Sequence, residues 1–326
     1  MPDLSMVEAV RSALACAMEE DDAVAIFGED VGIDGGVFRA TDGLAQRFGA
    51  MRVRDTPLSE ALIAGLAVGA AAQGLRPVAE IQFMGFLYPA IDQLANHAAR
   101  LRSRTRGRMT CPMTLRAPYG GGVHAPEHHS ESVEAMLAHI PGLKVVIPSS
   151  PAKAYGLLLS AIRDPDPVVF LEPKRLYRAG REDVAEDGVG LPLESCITLR
   201  EGEDVTLVAW GAMVPQCLDA AETLATAGVA AEVIDVAVLK PFDAATILAS
   251  VSRTGRCVIV QEASLTCGFG AEIAARIAND GVFSLLGPVR RIAGSDTPPP
   301  LSRLEAAYMP STRRISTAAQ DLMVFQ

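Results

Sequence analysis

Aromatic residues are scarce in this chain, 5% of the whole with one tryptophan, and no two cysteines have the C-x-x-C spacing of a metal or redox motif. Cys16, Cys111, Cys196, Cys217, Cys257 and Cys267 lie scattered through 326 residues. A chain that long builds a core without disulfide staples, so free thiols of a reducing cytoplasm are expected. Membrane-spanning runs are missing too: the most apolar helical stretch, 61–74, falls short of the roughly 20 residues a span needs. The N-terminus lacks a cationic start followed by an apolar core, so export is not expected. Positive charge is in deficit, with 29 Lys and Arg against 39 Asp and Glu and a net charge of −10. The one basic run, Arg100, Arg102, Arg104, Arg106 and Arg108, has no aromatic between its arginines. It reads as a solvated or interface helix end rather than a nucleic-acid footprint. The G-x-G-x-x-G fingerprint, the P-loop and the G-x-S-x-G elbow are all absent. His124 to His128 does spell H-x-x-E-H, the inverted zincin pattern. Pro126 interrupts it, however, and no third ligand is evident.

What remains is an α/β pattern. Hydrophobic residues are 49% and charged ones 21%, and short apolar runs alternate with helical stretches. Ser5 is placed to cap a helix to Glu20, with Val7, Val10, Leu14 and Met18 as its buried stripe. Strands are expected at 23–30, 51–57, 77–83, 112–118, 143–150 and 167–173, and helices from Thr41, from Tyr88 to Arg104 and from Pro151 to Arg163. The strands lack polar alternation, so they are expected to be buried on both faces of a mostly parallel sheet. A charged, glycine-containing stretch, 174–203, marks a domain boundary. Strands near 204–211, 230–236, 256–263 and 289–296 then form a second sheet with helices at 214–227, 243–253, 270–279 and 311–322. Two domains follow, 1–185 and 186–326.

Two stretches carry polar groups where such sheets place ligands, at the carboxyl ends of strands. In the first, 54–86, Glu60 heads a helix on which Ala61, Gly65, Gly69 and Gln73 leave one face nearly bare. Read alone, Glu60 is a first-turn acid complementing the helix dipole. With Glu29, Asp30, Glu80 and Glu127 it suggests an acid-lined pocket. The second stretch, APYGGGVHAPEHHSES (117–132), gathers His124, His128 and His129 behind a buried strand, where a general acid or base would be placed.

The chain resembles the beta subunits of thiamine-diphosphate-dependent decarboxylase components of 2-oxo acid dehydrogenase complexes. The likeness is carried in order by GEDVGIDGGVFRATDGL (28–44), DTPLSE (55–60), EIQFMGFLYPAIDQ (80–93), YGGGVHAPEHHSES (119–132), PGLKVVIPSSP (141–151), GLLLSAIRDPDPVVFLEPKRLYR (156–178), DVTLVAWGAMV (204–214) and TGRCVIVQEA (254–263). It implies a transketolase-like architecture of two α/β domains, pyrimidine-binding first. It also implies an α2β2 heterotetramer with a separate alpha subunit, cytoplasmic, docked through the C-terminal domain on a lipoyl-bearing dihydrolipoyl acyltransferase core. By the same resemblance Glu60 hydrogen-bonds N1′ of the cofactor's aminopyrimidine, which requires a desolvated, proton-sharing carboxyl. Leu58, Gln82 and Phe86 line the pyrimidine, Phe86 by stacking, and His129 handles protons or the lipoyl group. His124 also falls on a family histidine.

The family often holds a monovalent cation, K+, and the matching positions are Thr114, Asp164 and Asp166, although Asp164 and Asp166 could equally shape a turn. Its diphosphate and magnesium ligands lie in a G-D-G motif that this chain lacks. The alpha subunit is therefore expected to hold them. GGVFRATDG, QFMGF and YGGGVHAPE are nearer bacterial pyruvate enzymes than branched-chain 2-oxo acid or acetoin enzymes. A non-catalytic assembly subunit is the rival from another class.

Overall fold

A computed structural model describes residues 1–325; Gln326, the last residue of the expected C-terminal domain, lies outside the described residues. Contacts divide the chain into two units, 1–119 with 136–193, and 120–135 with 194 to the C-terminus.

The first unit begins with β1 (Asp3–Ser5) and α1 (Met6–Glu20). The N–H and hydroxyl of Ser5 donate to the Glu8 carboxylate at 2.8 and 2.6 Å. Those bonds, joined by the nearby Arg181 charge, hold Glu8 below the usual carboxylate range. Val7, Val10, Leu14 and Met18 are all buried, as the spacing predicts. The chain continues through β2 (Val24–Gly28), α2 (Leu44–Phe48), β3 (Val53–Asp55), α3 (Glu60–Ala72), β4 (Arg76–Glu80), α4 (Leu101–Arg104) and β5 (Thr114–Tyr119). The segment 120–135 ends in the first two residues of α5 (Glu134–His139), and β6 (Lys144–Val146), α6 (Pro151–Arg163), β7 (Val168–Pro173) and β8 (Arg181–Asp183) follow. Strands β6-β7-β5-β4-β2-β3 lie side by side, every pair parallel. Every residue of β2, β5 and β7 is buried. The apolar runs therefore do mark a sheet covered on both faces, and α1 packs on α6. β1 and β8 form a separate antiparallel pair.

The second unit holds β9 (Ile197–Arg200), β10 (Val205–Ala209), α7 (Met213–Thr226), β11 (Ala231–Asp235), β12 (Val238–Lys240), α8 (Ala244–Thr254) and β13 (Cys257–Ser264). It ends with α9 (Gly270–Asp280), β14 (Arg290–Gly294), α10 (Ser302–Tyr308) and α11 (Thr312–Met323). Its sheet runs β14-β13-β10-β11-β9, parallel except for the antiparallel edge strand β9.

Two expected helices are corrected. The helix expected from Thr41 starts at Leu44, after Gly43 with φ +79°, because the Thr41 hydroxyl donates to the Val31 carbonyl at 2.7 Å instead of capping. The helix expected over Tyr88–Arg104 breaks into 3₁₀ turns at Tyr88–Ala90 and Ala98–Arg100 and a π turn at Gln93–His97. Only Leu101–Arg104 is α-helical. A π turn accommodates one extra residue in a helix and shifts the register of everything after it.

Candidate active site

In the first unit, β2 connects to β3 on one side while β4 connects towards β5 on the other. The crevice between the carboxyl ends of β2 and β4 is thus a topological switch point, where open α/β sheets bind ligands. Glu29 and Asp30 follow β2 directly, and Gln82 and Phe86 follow β4. Leu58 lies between β3 and α3 and Glu60 opens α3, at the same end of the sheet. The Gln82 amide donates to Asp30 Oδ2 at 3.4 Å across the crevice. Glu60 is half-buried as the first residue of α3, and Leu58 is 80% exposed. Glu29 is the buried acid beside them: burial first, then the charges of Glu60 and Asp30, raise its carboxyl above the ordinary value. A carboxylate pair is therefore in place with one member disposed to hold a proton.

The glycine-rich loop 28–44 is pinned over this end of the sheet. Asp55 accepts from Gly32 N–H at 2.6 Å and Ile33 N–H at 3.2 Å. At Gly36, with φ +77°, a Cβ would come within 2.9 Å of Glu80 Oε1, so only glycine fits.

Beneath the loop, Arg116 bridges two buried carboxylates on neighbouring strands. Its Nη1 donates to Glu80 Oε2 at 2.7 Å, and its Nε and Nη2 donate to Glu172 at 2.6 and 2.9 Å. The buried Tyr177 hydroxyl also donates to Glu172. Two acids share one guanidinium, and burial outweighs the arginine in raising Glu80. A row of aromatic rings runs outward from Tyr177. Ring centroids are 5.1 Å apart for Tyr177 and Phe38, 5.5 Å for Phe38 and Phe83, and 5.7 Å for Phe83 and Phe86. Phe86 is therefore linked through Phe83 and Phe38 to Tyr177 and the buried charge network.

Thr114, Asp164 and Asp166 lie at the opposite, amino end of the same sheet. The Thr114 hydroxyl is buried with no hydrogen-bond partner among the described residues, as a cation held by neutral oxygens would leave it. Asp164 already faces Lys144, and Asp166 faces Arg102. His124, His128 and His129 belong to the second unit, with 120–135. No group of three or more His, Cys, Asp or Glu that could hold a metal occurs among the described residues, which sets the zincin pattern aside. Asp30, Asp34 and Asp42 lie in the loop and Asp55 holds it, so this end of the sheet is rich in carboxylates. Sequence reading missed the Arg116 network and the buried acids Glu134, Glu262 and Glu305 of the second unit. Their sole sequence signal was the GGG run at 120–122.

This fold and site define a transketolase-like protein. Residues 3–180 match the transketolase pyrimidine binding domain and residues 195–315 the transketolase C-terminal domain. A solved split-gene transketolase, described as an inactive beta4 tetramer, shares the fold with a TM-score of 0.81 at 24% identity, covering 99% of both chains. Over 325 residues and the full length of both chains, 46% of positions are identical to the pyruvate dehydrogenase E1 component subunit beta of Bacillus subtilis. The figure is 47% for that of Staphylococcus epidermidis. The chain belongs to the family of pyruvate dehydrogenase E1 component beta subunits.

Proposed function

We propose that this chain is the beta half of an E1 enzyme that decarboxylates pyruvate and passes the acetyl group to a lipoyl arm, working with an alpha subunit in an α2β2 heterotetramer. The observation that carries it is the gathering of Leu58, Glu60, Gln82 and Phe86 at the switch point of a parallel sheet. Thiamine diphosphate, when bound, supplies the electron sink that 2-oxo acid decarboxylation needs. The residues here would do the rest. Glu60 would hydrogen-bond N1′ of the aminopyrimidine, with Glu29 as the neighbouring acid. Phe86, in ring contact with Phe83, would stack on the ring, while Leu58 would cover it. Gln82, oriented by Asp30, would hydrogen-bond its edge.

The diphosphate and magnesium fall to the alpha subunit. Thr114 with nearby carbonyls, and Asp164 and Asp166 as outer charges, would hold K+. His129 would serve the lipoyl transfer, and the C-terminal domain from 186 would dock the acyltransferase core. Six free cysteines fit a cytoplasmic setting, and no helix among the described residues is long and apolar enough to cross a membrane. Reconstitution with the alpha subunit and assay on pyruvate, 3-methyl-2-oxobutanoate and acetoin tests the reading. Pyruvate is expected to have the highest kcat/KM, and no pyruvate turnover would overturn it.

A further inference from the structure

The segment 120–135 has little apolar grip on the protein: from Gly122 to His129 no residue is buried. Its first arm closes instead over two buried carboxylates of its own unit. Glu262 lies near the end of β13 and Glu305 within α10, 3% and 5% exposed. Gly121 N–H donates to Glu262 Oε1. Gly122 N–H donates to Glu305 Oε1 at 2.7 Å and His124 N–H to Glu305 Oε2 at 3.0 Å. His124 Nδ1 lies 2.8 Å from that same oxygen. Charge-assisted bonds of this kind are about twice as strong as neutral ones, and a buried carboxylate that loses them is left unpaired at high cost.

The glycines permit the approach. A Cβ at Gly120, with φ +81°, would stand 2.5 Å from Glu262 Oε1, and one at Gly121 would stand 3.1 Å from Glu305 Oε1. The base is closed by Gly120 N–H donating to Glu131 O at 2.9 Å. The second arm is a single turn, with His129 N–H on Pro126 O and Ser130 N–H on Glu127 O, both 2.9 Å. The side chain with the proposed chemistry therefore sits on a loop whose position two distant acids decide.

We propose that Glu262 and Glu305 are positioning residues, a carboxylate latch that holds the His129 loop in one conformation for lipoyl transfer. This rests on the reading of His129 given above. The test compares Glu305→Gln and Gly121→Ala, which loosen the latch from opposite sides, in the full chain reconstituted with the alpha subunit and thiamine diphosphate. Amide exchange at Gly121, Gly122 and His124 is expected to rise about tenfold in both variants. Acetylation of a lipoyl domain should fall by about the same factor, while decarboxylation coupled to an artificial electron acceptor stays within about twofold. Unchanged exchange would overturn the latch whatever the activities do. So would an equal fall in both activities with exchange raised throughout the chain. His129→Ala with undiminished lipoyl transfer would overturn the reading of His129 instead, and leave the latch to be judged by exchange alone.

Discussion

Glu134 is wholly buried, with Trp210 Nε1 donating to its Oε1 at 3.1 Å and its Oε2 lacking a hydrogen-bond partner among the described residues. Burial first, with the Glu262 charge adding, lifts its carboxyl from 4.5 to about 7. Between those values the folded chain keeps a proton that the unfolded chain releases. This group's stabilising contribution is therefore full below pH 4.5 and falls as pH rises to about 7. Glu134→Gln keeps the shape and removes the titration. It is expected to gain up to about 3 kcal/mol over the parent at pH 7.5 and nothing at pH 4.5. Equal shifts at both pH values in thermal unfolding would contradict this.

Arg116 stands in the opposite situation, one cation between two buried acids. Arg116→Met leaves Glu80 and Glu172 facing each other and is expected to cost about 3–5 kcal/mol at neutral pH. The loss should shrink at pH 5, because the proton affinity of Glu80 is already raised by burial. A pH-independent loss in denaturant unfolding would show that the network acts through packing rather than charge.

At the scale of elements, α3 explains most of what the sequence made odd. Gly65 faces the Gln93 side chain, whose Oε1 would lie 3.3 Å from a Cβ there, whereas nothing lies within 4 Å of one at Gly69. The small-residue face is thus partly filled by the chain itself. Beside it Leu58, Leu62 and Leu66 are 80%, 47% and 42% exposed at four-residue spacing, an apolar stripe of the kind that interfaces cover. Leu62→Asp with Leu66→Asp is expected to leave the isolated chain's stability within about 1 kcal/mol and to abolish co-elution with the alpha subunit. A normal heterotetramer would contradict that.

Regular elements were legible because apolar runs and caps are local signals: α6 and the Ser5 start of α1 lie where the spacing puts them. The segment 88–104 was not, because a π turn leaves no mark in an apolar pattern. The acids of the second unit were hidden for a further reason. Glu262 and Glu305 meet Gly121 and Gly122 across 141 and 183 residues, and only the glycines on the other side of the contact hinted at them.

Over the whole molecule, the proposed reading makes the chain half of an active site. Leu58, Glu60, Gln82 and Phe86 share one sheet end, and in that reading the alpha subunit would supply the groups that hold the diphosphate and its metal. Substrate choice was legible only through resemblance, since no residue of the first unit by itself distinguishes pyruvate from a branched 2-oxo acid. The central claim is that Glu60 activates a cofactor shared with the alpha subunit. Its most direct test is the rate of hydrogen–deuterium exchange at C2 of thiamine diphosphate bound to the reconstituted enzyme, parent against Glu60→Gln. The account predicts that the variant still binds the cofactor and exchanges at least about a hundredfold more slowly. Equal exchange rates would contradict it and leave the chain as an assembly subunit.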